Sequence, residues 1–413
     1  MRFEKGIFIL LIFTIVLLVG CSENNQDIEE PDIGQSNTHV EDEDKIPMDP
    51  IENRVKSMSL DEKIGQLMVV GFDGAYINEE IVGFIEKFKV GGFILFSRNI
   101  VDENQTLKLL NNLKEVNSNN DIPLFLSIDE EGGRVSRLPK AFFKLPAAMK
   151  VGNKNDKDIS YGFGNLLGER VKSLGFNLNF APVLDINSNP KNPVIGDRAF
   201  GADVDQVVNN GLEVMFGIRD SGVIPSVKHF PGHGNTDVDS HVNLPRVNKT
   251  IDQLESFELI PFMEAIEKNV EMIMVAHILY PEIDGEYPAT MSNRIIQEIL
   301  RDELGYEGVV ISDDMTMGAI VENYTLEDSV LSFIKVGGDI ALICHGKDNP
   351  EKVFMKIKEA VRTGELEEED IDKKVYRILK LKEGYYLEDK IIDKIDVEGL
   401  NNKTRELIDR MNK

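Results

Sequence analysis

The sequence predicts an α/β chain organised as a single (β/α)8 barrel, and three observations carry that expectation. Eight short apolar runs recur over the roughly 340 residues that follow an acidic N-terminal stretch. Each run is apolar on both faces and is separated from the next by an amphipathic helix pattern, the signature of a buried parallel sheet. The runs also end in chemistry: Asp129, Asp185, His229, His277, Asp313 and His345 follow six of them. Polar groups spread over so many strand ends suit the C-terminal face of a closed barrel. An open sheet would gather them at one switch point.

In chain order, strands are expected at 67–72, 92–96, 124–128, 178–184, 224–229, 272–276, 309–312 and 340–343. Ser59 with Glu62, and Thr250 with Gln253, have the spacing of capping boxes. Ser292 precedes Ile295, Ile296 and Ile299 at helical spacing, and the apolar positions 371, 375, 378 and 379 define the last barrel helix. The barrel is expected to span 51–384, with 385–413 a peripheral C-terminal tail of partly helical character.

The N-terminus reads as a targeting signal. Arg2 and Lys5 precede a run over 7–19 that is almost entirely apolar, shorter than the ~20 residues of a membrane span. Leu18-Val19-Gly20-Cys21 resembles a bacterial lipobox, which implies cleavage after residue 20 and a lipid on Cys21. An uncleaved anchor is the alternative, and both put the remainder outside the cytoplasmic membrane. Residues 22–50 hold ten acidic residues, one lysine and three prolines, so 21–50 is expected to be an acidic, disordered tether. Cys344 alone then remains as a thiol, placed in an apolar run as a small core residue. The net charge of −26 excludes nucleic acid as a partner, which would demand a basic face.

The densest chemistry lies in Lys228–His241, KHFPGHGNTDVDSH, which contains three of the six histidines. His229, His233, Asp237, Asp239 and His241 raise the question of a metal. Pro231 and Gly232 break the helix that an i,i+4 histidine pair needs, and no metal or organic cofactor is expected. Gly-x-Ser-x-Gly, phosphate-loop and dinucleotide fingerprints do not follow the strands. Carboxylate chemistry remains. Asp313 ends the apolar run of Val309-Val-Ile-Ser-Asp-Asp-Met315, where a rigid barrel strand can hold a nucleophile beneath a substrate. Asp314 better fits a helix N-cap at the junction. Asp239-Ser240-His241 sets a carboxylate two residues before an imidazole, an arrangement that can raise the basicity of the far ring nitrogen. An Asx turn with an exposed histidine is the other reading of that tripeptide.

Together these segments carry a resemblance. Lys228-His-Phe-Pro-Gly-His-Gly234, Asp239-Ser-His241 and Ile311-Ser-Asp-Asp-Met315 resemble glycoside hydrolase family 3, in its bacterial exo-β-N-acetylglucosaminidase branch and lipoprotein form. Ile128-Asp-Glu-Glu-Gly-Gly-Arg-Val135, Phe180-Ala-Pro-Val-Leu-Asp185, Gly196-Asp-Arg-Ala-Phe200 and Pro288-Ala-Thr-Met-Ser292 support it, in order, from about residue 59 to residue 382. The resemblance implies a retaining mechanism with Asp313 as nucleophile, His241 as acid/base and Asp239 as its dyad partner. It also implies Asp129, Arg137, Arg198, Lys228 and His229 as contacts to the −1 sugar. A solvated Arg137 and a satisfied strand-end His229 remain alternatives. His233 and Asp237 are expected only to shape the loop, with Pro231–Gly234 letting it swing, and His277 and His345 carry no assigned role.

The expected activity is removal of terminal N-acetylglucosamine from β-1,4-linked cell-wall fragments or chitooligosaccharides by a monomeric, lipid-anchored enzyme. A β-glucosidase, β-xylosidase or GlcNAc phosphorylase of the same family is the neighbouring reading. A non-catalytic sugar-binding lipoprotein is the rival from another class. Many family members continue into a second α/β domain; none is expected here, so the leaving-group side is expected to be built by barrel loops.

Overall fold

The computed structural model describes residues 49–236, 240 and 243–413. The expected signal peptide, Cys21 and all but the end of the tether lie outside the described residues, as do Asp237, Asp239 and His241. Among the described residues no helix is long and apolar enough to cross a membrane.

Eight parallel strands close into a barrel in chain order: β1 (Met68–Val70), β2 (Gly92–Leu95), β3 (Phe125–Ile128), β4 (Leu178–Asn179), β5 (Ile224–Phe230), β6 (Met272–Val275), β7 (Val309–Asp314) and β8 (Ile340–Ile343). β8 pairs back onto β1 through Met68–Ala341, Val69–Leu342 and Val70–Ile343, so no sheet edge is left open. Every residue of these strands is buried except Asp313, which is half-buried. Helices on the outside cover one face and packed side chains fill the other, which is why the strands read as continuous apolar runs.

The helix starts follow the expected chemistry. Ser59 and Glu62 form a reciprocal capping box, and so do Thr250 and Gln253. Ser292 Oγ accepts the Ile295 N–H at the start of a wide, π-type helix, Arg294–Glu303. The last barrel helix, Glu368–Gly384, sends Lys382 beneath the barrel, where its ammonium donates to Gln66 Oε1 and to the carbonyls of Gly91 and Pro123.

Three boundaries differ from expectation. Asp49 and Pro50 belong to the folded body: Asp49 caps the helix Pro50–Ser57 and accepts from the Tyr376 hydroxyl at 2.7 Å. β4 is two residues long because Pro182 has no N–H to give to a ladder, although Ala181, Pro182 and Lys228 carbonyls continue the pairing with β5 as far as Leu184. The C-terminal stretch is packed against the barrel. Asn111 and Asn117 hold residues 389–392, and the helix Val397–Met411 buries Leu400, Leu407 and Met411 against the helix Lys157–Leu174.

Candidate active site

Two bulges set the site. Lys228 pairs with Met274 and Phe230 with Val275, so His229 is an extra residue in β5. Between Ile311–Ile340 and Asp314–Leu342, β7 spends one residue more than β8. A bulge re-aims the side chains around it, and here each falls at a residue expected to touch substrate.

β3 delivers three acids in succession, and each has a different task. Asp129 accepts from Lys228 Nζ at 2.7 Å. Glu130 is buried and folds its own loop, accepting from Ser136 Oγ and the N–H of Arg137; burial pushes its carboxyl up. Glu131 takes a bidentate pair of bonds from Arg198, both 2.8 Å, and one from Lys228 at 2.6 Å. Burial opposes its charge, but Arg198 and Lys228 outweigh burial and hold it well below the usual carboxylate range. In return Asp129 and Glu131 hold Lys228 above its ordinary value despite its burial. Lys228 and Arg198 thus meet Asp129 and Glu131 in a closed network of charge-assisted hydrogen bonds.

The ends of β4 and β5 meet through Asp185. Its Oδ2 lies 2.6 Å from His229 Nδ1, while Oδ1 accepts the N–H groups of His229 and His233. Burial works against ionisation of Asp185, and His229 and His233 more than offset it. His229 Nε2 lies 3.4 Å from Arg198 Nη2. His233 bridges Thr236 Oγ1 at 2.8 Å and Ser240 Oγ at 3.2 Å, and burial, with the nearby His229, pushes it down to about 4. The segment Pro231–Gly234, expected to let the loop swing, is closely packed. It is buried, the Tyr280 hydroxyl holds the Gly232 carbonyl at 2.8 Å, and a side chain at Gly234 would collide with the Ile186 carbonyl oxygen.

On the opposite side β7 presents Asp313. Its Oδ1 accepts the Asp314 N–H at 2.8 Å. Burial raises this carboxyl, but the His229 and His277 imidazoles, that N–H and Lys228 together bring it below its ordinary value. His277 is fixed between Thr290 Oγ1 and the Asp314 carbonyl, both 2.9 Å away. Asp314 is not a helix N-cap. Its Oδ1 gathers Thr316 N–H, Thr316 Oγ1 and Cys344 N–H, which locks the turn after β7 onto β8.

These groups surround a cavity of about 320 Å³ at the C-terminal face. Asp129, Arg137, Arg198, Lys228, His229 and Asp313 all line it, so six of the eight expected site residues come together. The other two, Asp239 and His241, lie outside the described residues, although Ser240 between them is buried, lines the cavity and receives the Ala319 N–H on its carbonyl. Glu131, His233, Asp314 and His345 also line the cavity and were missed as site residues. Asp185 was noted only as a strand-end acid. Glu131 had a signal: it stands two residues from Asp129 in one extended stretch. Among the described residues no group of three or more His, Cys, Asp or Glu side chains could hold a metal ion.

An ionised carboxylate facing a wall of fixed donors and acceptors suits nucleophilic attack on a polyhydroxylated ring. The Glycosyl hydrolase family 3 N terminal domain matches residues 59–381. The chain belongs to glycosyl hydrolase family 3. Beta-hexosaminidase A of Pseudoalteromonas piscicida is 37% identical over 73% of this chain, which spans 55% of that longer relative. Beta-hexosaminidase of Thiobacillus denitrificans is 36% identical over 65% of this chain and 75% of its own length. Among solved structures, the family 3 β-N-acetylglucosaminidase from Paenibacillus sp. str. FPU-7 superposes with a TM-score of 0.80 and 36% identity, over 85% of this chain and 68% of that one. The β-N-acetylhexosaminidase from Beutenbergia cavernae gives 0.74 and 26%, over 79% and 99%. The family 3 fold thus accounts for the barrel.

Proposed function

We propose that this family 3 protein is a retaining exo-β-N-acetylglucosaminidase. The observation that carries the reading is Asp313: among the described residues the one barrel-strand residue not fully buried, on a bulge, its carboxyl held below the ordinary value, and lining the same cavity as the Asp129–Lys228–Glu131–Arg198 network. Asp129 accepts from sugar hydroxyls, while Lys228, Arg198 and Arg137 donate to them. Asp313 attacks the anomeric carbon as His241, oriented by Asp239, gives its proton to the leaving oxygen. Water, deprotonated by His241, then releases N-acetylglucosamine with retained configuration. An imidazole in place of a second carboxylate lessens the repulsion that paired acids would suffer beside Asp313.

The hexosaminidase relatives support N-acetylglucosamine as the sugar. The Leu18–Cys21 segment supports a lipid-anchored, extracytoplasmic protein, and that location favours GlcNAc-containing cell-wall fragments as substrates. Steady-state kinetics on aryl N-acetyl-β-glucosaminide and aryl β-glucoside test the assignment. A kcat/KM favouring the acetamido sugar supports it, and a preference for the glucoside overturns it.

A further inference from the structure

Ser240 stands between Asp239 and His241 in the sequence, and the fold holds both of its polar ends. Its carbonyl accepts the Ala319 N–H at 3.1 Å, from the short helix Gly318–Val321 that follows β7. Its hydroxyl lies 3.2 Å from His233 Nε2, in the loop that follows β5. Both Ser240 and His233 are buried. One residue therefore ties the segment of the proposed acid to the turn beyond the proposed nucleophile.

Hydrogen counting gives the direction of the His233 bonds. Thr236 Oγ1 has one proton, and it donates to the His233 carbonyl oxygen at 3.0 Å. It can then meet His233 Nδ1, 2.8 Å away, only as an acceptor. Nδ1 therefore carries the ring proton. Burial pushes the ring down to about 4, so near neutral pH it is uncharged and Nε2 is bare. The Ser240 hydroxyl is the donor to that nitrogen. The acceptor is braced on every side. Asp185 Oδ1 takes the His233 N–H at 2.6 Å, and Asn192 Nδ2 donates to the His233 carbonyl at 2.8 Å and to Thr236 Oγ1 at 3.2 Å. Asn189 Nδ2 holds the Thr236 carbonyl at 3.1 Å. With both ring nitrogens engaged inside the protein, His233 lines the cavity with no donor left for a sugar.

We propose that His233 is a positioning residue for the acid/base, fastening through Ser240 the main chain that carries Asp239 and His241. Its bare Nε2 holds the Ser240 hydroxyl from the β5 side, and the Ala319 N–H holds the carbonyl from the β7 side. The two bonds set where that main chain stands relative to Asp313. A general acid acts only within hydrogen-bond reach of the leaving oxygen, so a small displacement of its backbone costs rate. The inference rests on the glycosidase reading above and adds to it the group that places the acid.

Two glycosides that share the terminal sugar test it. N,N′-diacetylchitobiose needs a proton on its leaving oxygen, whereas a dinitrophenyl N-acetyl-β-glucosaminide departs without one. The readout is the ratio of their kcat/KM values, which report the cleavage step. Ser240→Ala is expected to lower the chitobiose-to-dinitrophenyl ratio about ten-fold. In a His241→Ala background, where no acid remains to be placed, the same substitution should change the ratio by less than about two-fold. A ratio that does not fall in Ser240→Ala overturns the positioning role, as does an equal fall with and without His241; the glycosidase reading then stands. A wild type that cleaves neither glycoside overturns that reading, and the positioning role with it. Nitrogen NMR of histidine-labelled protein reads the contact itself, with His233→Gln identifying the signals. A protonated Nδ1, and a bare Nε2 whose resonance moves in Ser240→Ala, are expected. A protonated Nε2 overturns the proposed contact.

Discussion

Asp185 and His229 are bound to each other twice: Oδ2 to the ring Nδ1 at 2.6 Å, and Oδ1 to the backbone N–H at 3.2 Å. One buried carboxylate thus fixes both the ring and the main chain of a residue that lines the cavity, and through the His233 N–H it fixes the loop beyond. Asp185 itself does not line the cavity. It is a positioning residue for two that do.

Removing that carboxylate leaves three buried donors unpaired. Asp185→Ala is expected to lower unfolding stability by about 3–5 kcal/mol, the cost of breaking one side of a buried pair. Denaturant unfolding measures it. A loss below about 1 kcal/mol would mean that His229 finds another partner.

His233 makes the acid limb of stability steeper. Its proton is lost at about 4 in the folded protein against 6.5 in the unfolded chain, so the unfolded chain takes up the proton first as pH falls. This contribution is complete above pH 6.5 and disappears as pH drops to about 4, a change on the order of 3 kcal/mol. The depressed carboxyls of Glu131, Asp185 and Asp339 act in the same direction at still lower pH. In His233→Gln the slope of unfolding free energy between pH 6.5 and 4 should flatten. A slope equal to that of wild type would show that His233 is charged when folded.

His241→Ala separates leaving groups. Loss of a general acid should slow chitobiose hydrolysis by roughly 10²–10⁴-fold, while an activated aryl glycoside, which departs without a proton, should lose much less. Equal losses on the two substrates would remove His241 from the acid role.

The C-terminal helix contributes to the folded body. Truncation before Val397 exposes the surface that Leu400, Leu407 and Met411 cover. At about 1.5–3 kcal/mol for each such side chain, the shortened protein is expected to unfold about 5 kcal/mol more easily. An unchanged denaturation midpoint would mean that the helix is dispensable.

The barrel was legible because its strands are apolar on both faces, and the capping boxes at Ser59 and Thr250 because their geometry is local. Strand-end polar residues marked the cavity for the same reason: Asp129, His229 and Asp313 interrupt apolar runs. What was not legible depends on contacts between distant residues. Glu131 looks like one acid among three until Arg198 and Lys228, 67 and 97 residues on in the sequence, close around it. The Pro231–Gly234 stretch reads as flexible because glycine permits many conformations. In the fold that same lack of a side chain lets Gly234 pack against the Ile186 carbonyl and fixes the loop. Asp314 has the composition of a helix cap, but the next helix begins only at Gly318, so its carboxylate serves the turn instead. The tail after Tyr385 interleaves its apolar residues with many charges, and its docking depends on a groove that only the folded barrel provides.

In the proposed mechanism Asp313, not its neighbour Asp314, forms the bond to the sugar. Incubation with a 5-fluoro N-acetylglucosaminyl fluoride slows release of the covalent intermediate, and peptide mapping by mass spectrometry locates the label. One sugar per chain on Asp313, and none in Asp313→Asn, is the expected result. A label on Asp314, or no label while the enzyme turns over substrate, would contradict the account.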